Sequence, residues 1–171
     1  KLEWMNGVYI REMPAEELVD RMLPWLEEAG LADAADVAAR RSWYLALVPL
    51  IAERLKRMTE IAPTVGFLLA ERLTLDPSAV EQALTGADPL RSLEAARRAL
   101  AGLDAWETES IETALRALPE ALGIKPKVVL QAVRVALTGS TVSPPLFESV
   151  ALLGRETALD RLDGALSVIR V

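Results

Sequence analysis

The chain has 171 residues, 51% of them apolar, a net charge of −6, and neither cysteine nor histidine. Those two absences exclude disulfides, thiol nucleophiles, histidine-based triads and ordinary zinc sites. The apolar content excludes a disordered chain, and no apolar run approaches the roughly 18 residues that span a membrane, so the expected location is the cytoplasm.

Leucine and alanine dominate, as packed helices require, and the length suits one domain or two small ones. Lys1 is not an initiator methionine, and KLEWMNG opens without a capping residue. The chain therefore reads as a piece of a longer protein. Its charge is unevenly spread: residues 1–86 hold nine basic against fourteen acidic residues, and residues 87–171 hold ten against eleven. An acidic chain that binds nucleic acid must rely on local basic faces rather than long-range attraction.

In chain order, residues 1–13 form an apolar lead-in with Leu2, Trp4, Met5, Val8, Tyr9 and Ile10, too many to leave exposed in so short a segment, so they should pack on the next helix or also against a part of the protein that precedes this chain. Pro14 starts a helix over 14–29, with Glu16 and Glu17 in its first turn and Leu18, Met22, Trp25 and Leu26 inward. Pro24 should bend or split it. A long helical pattern covers 34–59, stacking Leu47, Ile51, Leu55 and Met58 on one side, with Arg54 and Arg57 as neighbours on another and a kink or break expected at Pro49. Shorter helices cover 63–73 and 77–84. The stretch LTGADP at 84–89 is the best boundary, with Asp88-Pro89 as cap and first residue of a helix over 89–101. Asp104 and Glu107 have the spacing of a capping box for a helix over 105–122. The fold class is all-α, two helical subdomains in series over 1–86 and 87–171.

The segment 126–162 is the most sharply specified. Its first helix turns Val129, Leu130, Val133, Ala136 and Leu137 inward, while Lys127, Gln131, Arg134 and Thr138 share the opposite face. Gly139 suits a left-handed C-terminal cap, and Ser143 then reads as N-cap with Pro144 at the first helical position. A second helix buries Leu146, Phe147, Val150 and Leu153, and a third carries Ala158, Leu159, Leu162 and Leu166. From 125 to 139 there are three basic residues and no acidic one. A loop of hydroxyls and prolines beside such a face can receive a phosphate chain and unstacked bases. Periodicity alone also fits an ordinary solvated helix face.

These strings carry a family resemblance. RVALTG, SPPLFE and LLGRE-x-x-L-x-RL resemble the C-terminal anticodon-binding region of bacterial-type glutamyl-tRNA synthetases, class I glutamate–tRNA ligases. KLEWMNGVYIR is similar to the segment that follows the catalytic domain in the same enzymes. The resemblance implies an anticodon-binding helical bundle or cage that recognises tRNA(Glu) beside a catalytic half of the same chain. It assigns anticodon contacts to Arg134 in RVALTG and to Ser143, Pro144 and Leu146 in the loop. It assigns the third anticodon base to Arg54, in the string ERLK, an arginine there pointing to discrimination between glutamate and glutamine tRNA. Arg57, Lys127, Gln131 and Thr138 become candidates for the RNA backbone.

Catalysis is not expected from this chain. No glycine-rich phosphate loop is present, and neither the HIGH-type nor the KMSKS-type signature of class I synthetases occurs. ATP and Mg²⁺ would belong to the catalytic half, leaving no cofactor or metal here. Paired carboxylates such as Glu16/Glu17 and Glu27/Glu28 read as plain surface, and the four tryptophans, each in an apolar run, read as core rather than base-stacking platforms. The rival reading, favoured by the acidic composition, is a helical protein–protein interaction or regulatory module without an RNA role.

Overall fold

The computed structural model describes residues 2–169, and all the regular elements among them are helical. The chain divides into two compact units between Glu71 and Arg72.

The first unit contains α1 (Leu2–Glu12), α2 (Ala15–Glu28), α3 (Ala34–Ala39), α4 (Arg41–Ile51), a 3-10 turn at Met58–Glu60 and α5 (Ile61–Leu69). Leu18, Val19, Met22 and Leu26 of α2 are fully buried, and α2 packs on α4 and α5. Each such side chain contributes about 1.5–3 kcal/mol by leaving water. Trp25, expected in that stripe, is only half-buried. Pro24 lies on the exposed side, and α2 runs through it unbroken. The helix ends where Gly30 takes φ +66°, so that the Leu31 N–H reaches the Leu26 carbonyl at 2.9 Å and the Gly30 N–H reaches that of Glu27 at 3.0 Å.

The long helix expected over 34–59 is instead two helices and a turn. Arg40, at φ −115°, separates α3 from α4, and α4 passes through Pro49 before ending at Ile51. Beyond it the Glu60 carboxylate accepts the backbone N–H of Lys56 (2.8 Å) and Arg57 (3.3 Å), supplying partners that a continuing helix would otherwise provide. Leu47, Ile51 and Leu55 stay buried as expected, whereas Met58 is half-buried. The lead-in forms α1, but only Gly7 and Ile10 are buried on it. Leu2, Trp4, Met5 and Tyr9 are left between half and three-quarters exposed, so packing on the next helix does not account for them.

The second unit contains α6 (Pro77–Ala83), α7 (Ala87–Ala101), α8 (Thr108–Arg116), α9 (Leu118–Leu122), α10 (Pro126–Thr138), α11 (Leu146–Leu153) and α12 (Arg155–Val168). Asp76 caps α6 by accepting the Ala79 N–H, with Pro77 at the first helical position. Gly86, at φ +103°, sits at the N-cap of α7, so that helix starts ahead of the expected Asp88-Pro89 cap. The single helix expected over 105–122 is split at Ala117, and Pro119 then sits in the first turn of α9, where its missing N–H has no partner to lose. Glu107 is the N-cap of α8, without the side-chain bond a capping box would supply.

Helix α10 lies among α6, α7, α9 and α12. Val129, Val133, Ala136 and Leu137 are buried as expected, and Ala132, Val135 and Thr138 are buried too. Its contact with α6 explains why the division falls before α6 rather than at the expected 86/87. The Asp76 N–H also donates to the Gly139 carbonyl at 2.9 Å. Residues 72–86 therefore belong with the second unit. Among the described residues, no helix is long and apolar enough to cross a membrane.

Candidate nucleic-acid interface

The C-terminal end of α10 and the turn that follows it form a tightly built corner. Gly139 takes φ +81°, and a Cβ there would lie 2.3 Å from the Thr74 carbonyl oxygen. Only glycine suits both the conformation and the approach. Thr138 turns its hydroxyl back on the chain, donating to the Arg134 and Ser140 carbonyls at 2.8 and 3.1 Å and accepting the Ser140 N–H at 3.3 Å. Gln131 Nε2 donates to the Thr141 carbonyl at 3.1 Å. Arg134 Nη1 donates to Ser143 Oγ and, at 3.3 Å, to the Pro144 carbonyl.

Three of the four residues of the expected polar stripe are thus brought together by the turn over 139–145. Lys127 stands apart from them, exposed in the first turn of α10. Gln131 and Arg134 are half-buried, and Thr138 is buried. The stripe is polar because it binds the chain's own loop backbone as well as facing solvent. Periodicity cannot distinguish those two uses, since both demand hydrogen-bonding side chains at the same spacing.

Ser143, Pro144 and Leu146 are all buried, and Val142 is the exposed tip at 75%. Ser143 does not cap α11. That helix begins at Leu146 with Pro145 at its N-cap, and the Ser143 hydroxyl donates to the Pro144 carbonyl at 2.8 Å. The reason is the paired prolines: Pro145 pushes Pro144 out of the helical region, so helix formation waits until Leu146.

A buried cation beneath this corner was not singled out from sequence. Arg161, 9% exposed, donates to the Leu137 carbonyl at 2.9 Å, meeting the last turn of α10 where a helix presents its negative end. Burial lowers its pKa from the ordinary arginine value. Arg155 acts similarly on the end of α7, donating to the Ala101 and Leu103 carbonyls and lying over Trp106. Both arginines lie in the string LLGRE-x-x-L-x-RL. Its spacing signalled a helix, but nothing in it told a buried arginine from a solvated one.

In the first unit, Arg54 is exposed in the turn after α4 rather than on a helix shared with Arg57. Arg57 is exposed at the start of the 3-10 turn and pairs with Glu3. It also lines a cavity of about 320 Å³ with Tyr9, Met13, Arg21, Trp25 and Thr59. The paired carboxylates behave as surface groups: Glu16 pairs with Arg41, and Glu17 with Arg21. None of the four tryptophans is fully buried, Trp4 being 71% exposed and the other three half-buried. No three acidic side chains gather into a metal-holding cluster among the described residues.

Fold and corner together define an all-α domain that presents an arginine-held, proline-stiffened loop. The family model described as "Anticodon binding domain" matches residues 17–166, and the chain belongs to that family. It is 42% identical over 170 residues to a glutamate–tRNA ligase of Roseiflexus castenholzii, covering 99% of this chain and 34% of that protein. It is 43% identical to one from Acidothermus cellulolyticus, covering 98% and 34%. The chain therefore spans about a third of the length of these curated relatives. Its fold matches a glutamate tRNA ligase of Elizabethkingia meningosepticum with a TM-score of 0.83 at 20% identity, over 98% of this chain and 32% of the other.

Proposed function

We propose that the chain is the tRNA-reading part of a glutamate–tRNA ligase, and that Arg134, Ser143, Pro144 and Leu146 meet the anticodon of tRNA(Glu). The observation that carries this reading is the Arg134 bracket on Ser143 and Pro144, within a chain of the anticodon-binding family. A turn already held in place loses little entropy when bases stack against it, so more of the contact energy appears as affinity. Gln131 and Thr138 fix the same turn from within, while Lys127 supplies an exposed charge for the RNA backbone. ATP and Mg²⁺ belong, on this reading, to the remainder of the parent, and the chain alone gives no glutamate-dependent ATP–pyrophosphate exchange. The exposed face of α1 suits contact with that remainder.

The test is Arg134→Ala in the full-length parent. Its kcat/KM for tRNA(Glu) should fall by about 1–3 kcal/mol, the range for losing a charge-assisted contact to RNA. Arg134→Lys should recover only part of this, since lysine keeps the charge but not the planar fork. Normal tRNA kinetics with a collapsed melting temperature would make Arg134 purely structural. They would also favour the rival reading, a helical protein-interaction module, to which the exposed apolar face of α1 lends itself.

A further inference from the structure

A second cavity, of about 450 Å³, lies in the second unit at the other end of α10 from the Gly139 corner. It is lined by Arg116 from the last turn of α8, Pro119 and Glu120 from α9, Ile124 from the following turn, and Pro126 and Leu130 from α10. Four of these six are apolar and two of those are prolines, whose rings offer flat, rigid walls. The volume is within the range of small-molecule sites, about 300–1,000 Å³.

Arg116 gives this cavity its chemistry. Its guanidinium carbon lies 4.9 Å from the centre of the Phe147 ring, and its Nε donates to Glu112 Oε1 at 2.7 Å. One contact sets the guanidinium over the ring and the other ties its Nε, so the group is held at the cavity wall from two sides. Phe147 is the second residue of α11, immediately beyond the turn over 139–145. Leu130 lies about one helical turn before Arg134 on α10. None of the cavity's lining residues belongs to the loop itself, but Leu130 is next in sequence to Gln131, which holds the Thr141 carbonyl, and Arg116 reaches Phe147 just after the turn, so the cavity is built on the elements that frame the loop to which the reading above assigns the anticodon.

We propose that this cavity takes a single unstacked nucleobase of the same RNA loop, preferring one with an exocyclic amine, and so forms a further subsite of the reading above. A phosphate does not suit it, because the Glu120 carboxylate would repel the anion. That same carboxylate accepts a hydrogen bond from an exocyclic amine, which uracil lacks. The prolines, Ile124 and Leu130 receive the base faces, and the Arg116 plane stacks as guanidinium groups do on unpaired bases. Lys125 and Lys127, both exposed and flanking the lining residue Pro126 in sequence, supply charge for the backbone outside.

The experiment uses the full-length parent with a set of anticodon-stem RNA hairpins, each with one loop nucleotide replaced by an abasic ribose. In the wild type one abasic position outside the bases read by the loop should weaken binding about tenfold. Restoring uridine there should recover less than restoring cytidine or adenosine. Leu130→Trp fills the cavity, so the intact hairpin should bind about tenfold more weakly, and the penalty at that one abasic position should vanish. Arg116→Gln changes a side chain that is 59% exposed, so the fold persists, and the same penalty should shrink about threefold. Identical penalties at every position in the wild type and both variants would overturn the subsite while leaving anticodon reading intact. So would a Leu130→Trp chain that binds every hairpin normally, since the cavity would then serve some other occupant. A wild type that binds no hairpin at all would overturn the anticodon reading, and the subsite with it.

Discussion

Arg54 and Arg57 show how much depends on a single residue's setting. On one continuous helix they would be equivalent neighbours. The turn created by the Glu60 carboxylate separates them, leaving Arg54 beside no described site and Arg57 on a cavity walled by Tyr9 and Trp25. Arg54 remains the residue that the resemblance assigns to the third anticodon base. Arg54→Gln in the parent should then lower the preference for glutamate over glutamine tRNA more than it slows the cognate reaction, because only a base contact distinguishes the two. The measurement is the ratio of kcat/KM for the two tRNAs at fixed salt, for Arg54→Gln and Arg57→Gln side by side. A change confined to Arg57→Gln would move the reading role to the cavity. Equal losses on both tRNAs would mark a phosphate contact. Tyr44 offers a residue-scale test of the first unit's core. Burial first, and the 2.6 Å bond to Asp36 second, raise its phenol well above the ordinary value near 10. The folded state thus holds this proton more tightly than the unfolded chain, so the stability it contributes is complete below about pH 10 and is lost as pH rises beyond it. Urea midpoints should fall above pH 10 in the wild type. In Tyr44→Phe that alkaline fall should be smaller, with about 1 kcal/mol lost at neutral pH from the missing hydrogen bond.

At the scale of elements, glycines whose backbone is under constraint should separate from those that are free. Gly139→Ala combines a φ of +81° with a Cβ 2.3 Å from a backbone oxygen, and should cost about 2–3 kcal/mol or more. Gly164 lies exposed inside α12, with nothing within 4 Å of an added Cβ and no positive φ. Gly164→Ala should therefore stabilise by about 0.4–1 kcal/mol. Thermal melts of the two variants check both signs. The same contrast explains what the sequence made legible. Gly139 was readable because it follows the last periodic residue of a strongly patterned helix, and α10, α11 and α12 lie close to where their patterns put them. The turn at 52–57 was not readable. Its apolar spacing continues through Leu55, which is indeed buried, while the backbone beyond it is held by a carboxylate four residues after Lys56 in sequence. The α11 cap was misplaced because Ser-Pro is a good helix start only when a second proline does not follow. Short local signals lost wherever a neighbouring side chain offered the backbone a different partner.

Across the whole molecule, the net charge of −6 belongs to a chain whose contacts with RNA would be few and placed. The all-α class and the serial arrangement of two units were legible from periodicity, but the division was not. LTGADP looks like a linker, yet α6 before it is held to the second unit through α10 and through the Asp76–Gly139 bond, a contact between residues 63 apart in sequence. The residues that the resemblance assigns to RNA fall in both units, Arg54 and Arg57 in the first and the Arg134 corner in the second. The second unit's corner is where the anticodon is proposed to meet the chain, and Val142 is its exposed tip. A photoreactive amino acid placed at Val142 in the full-length parent, irradiated with bound tRNA(Glu), should attach to the anticodon nucleotides, as read by primer extension. Attachment to the acceptor stem, or none while the tRNA remains bound, would show that the corner does not meet the anticodon.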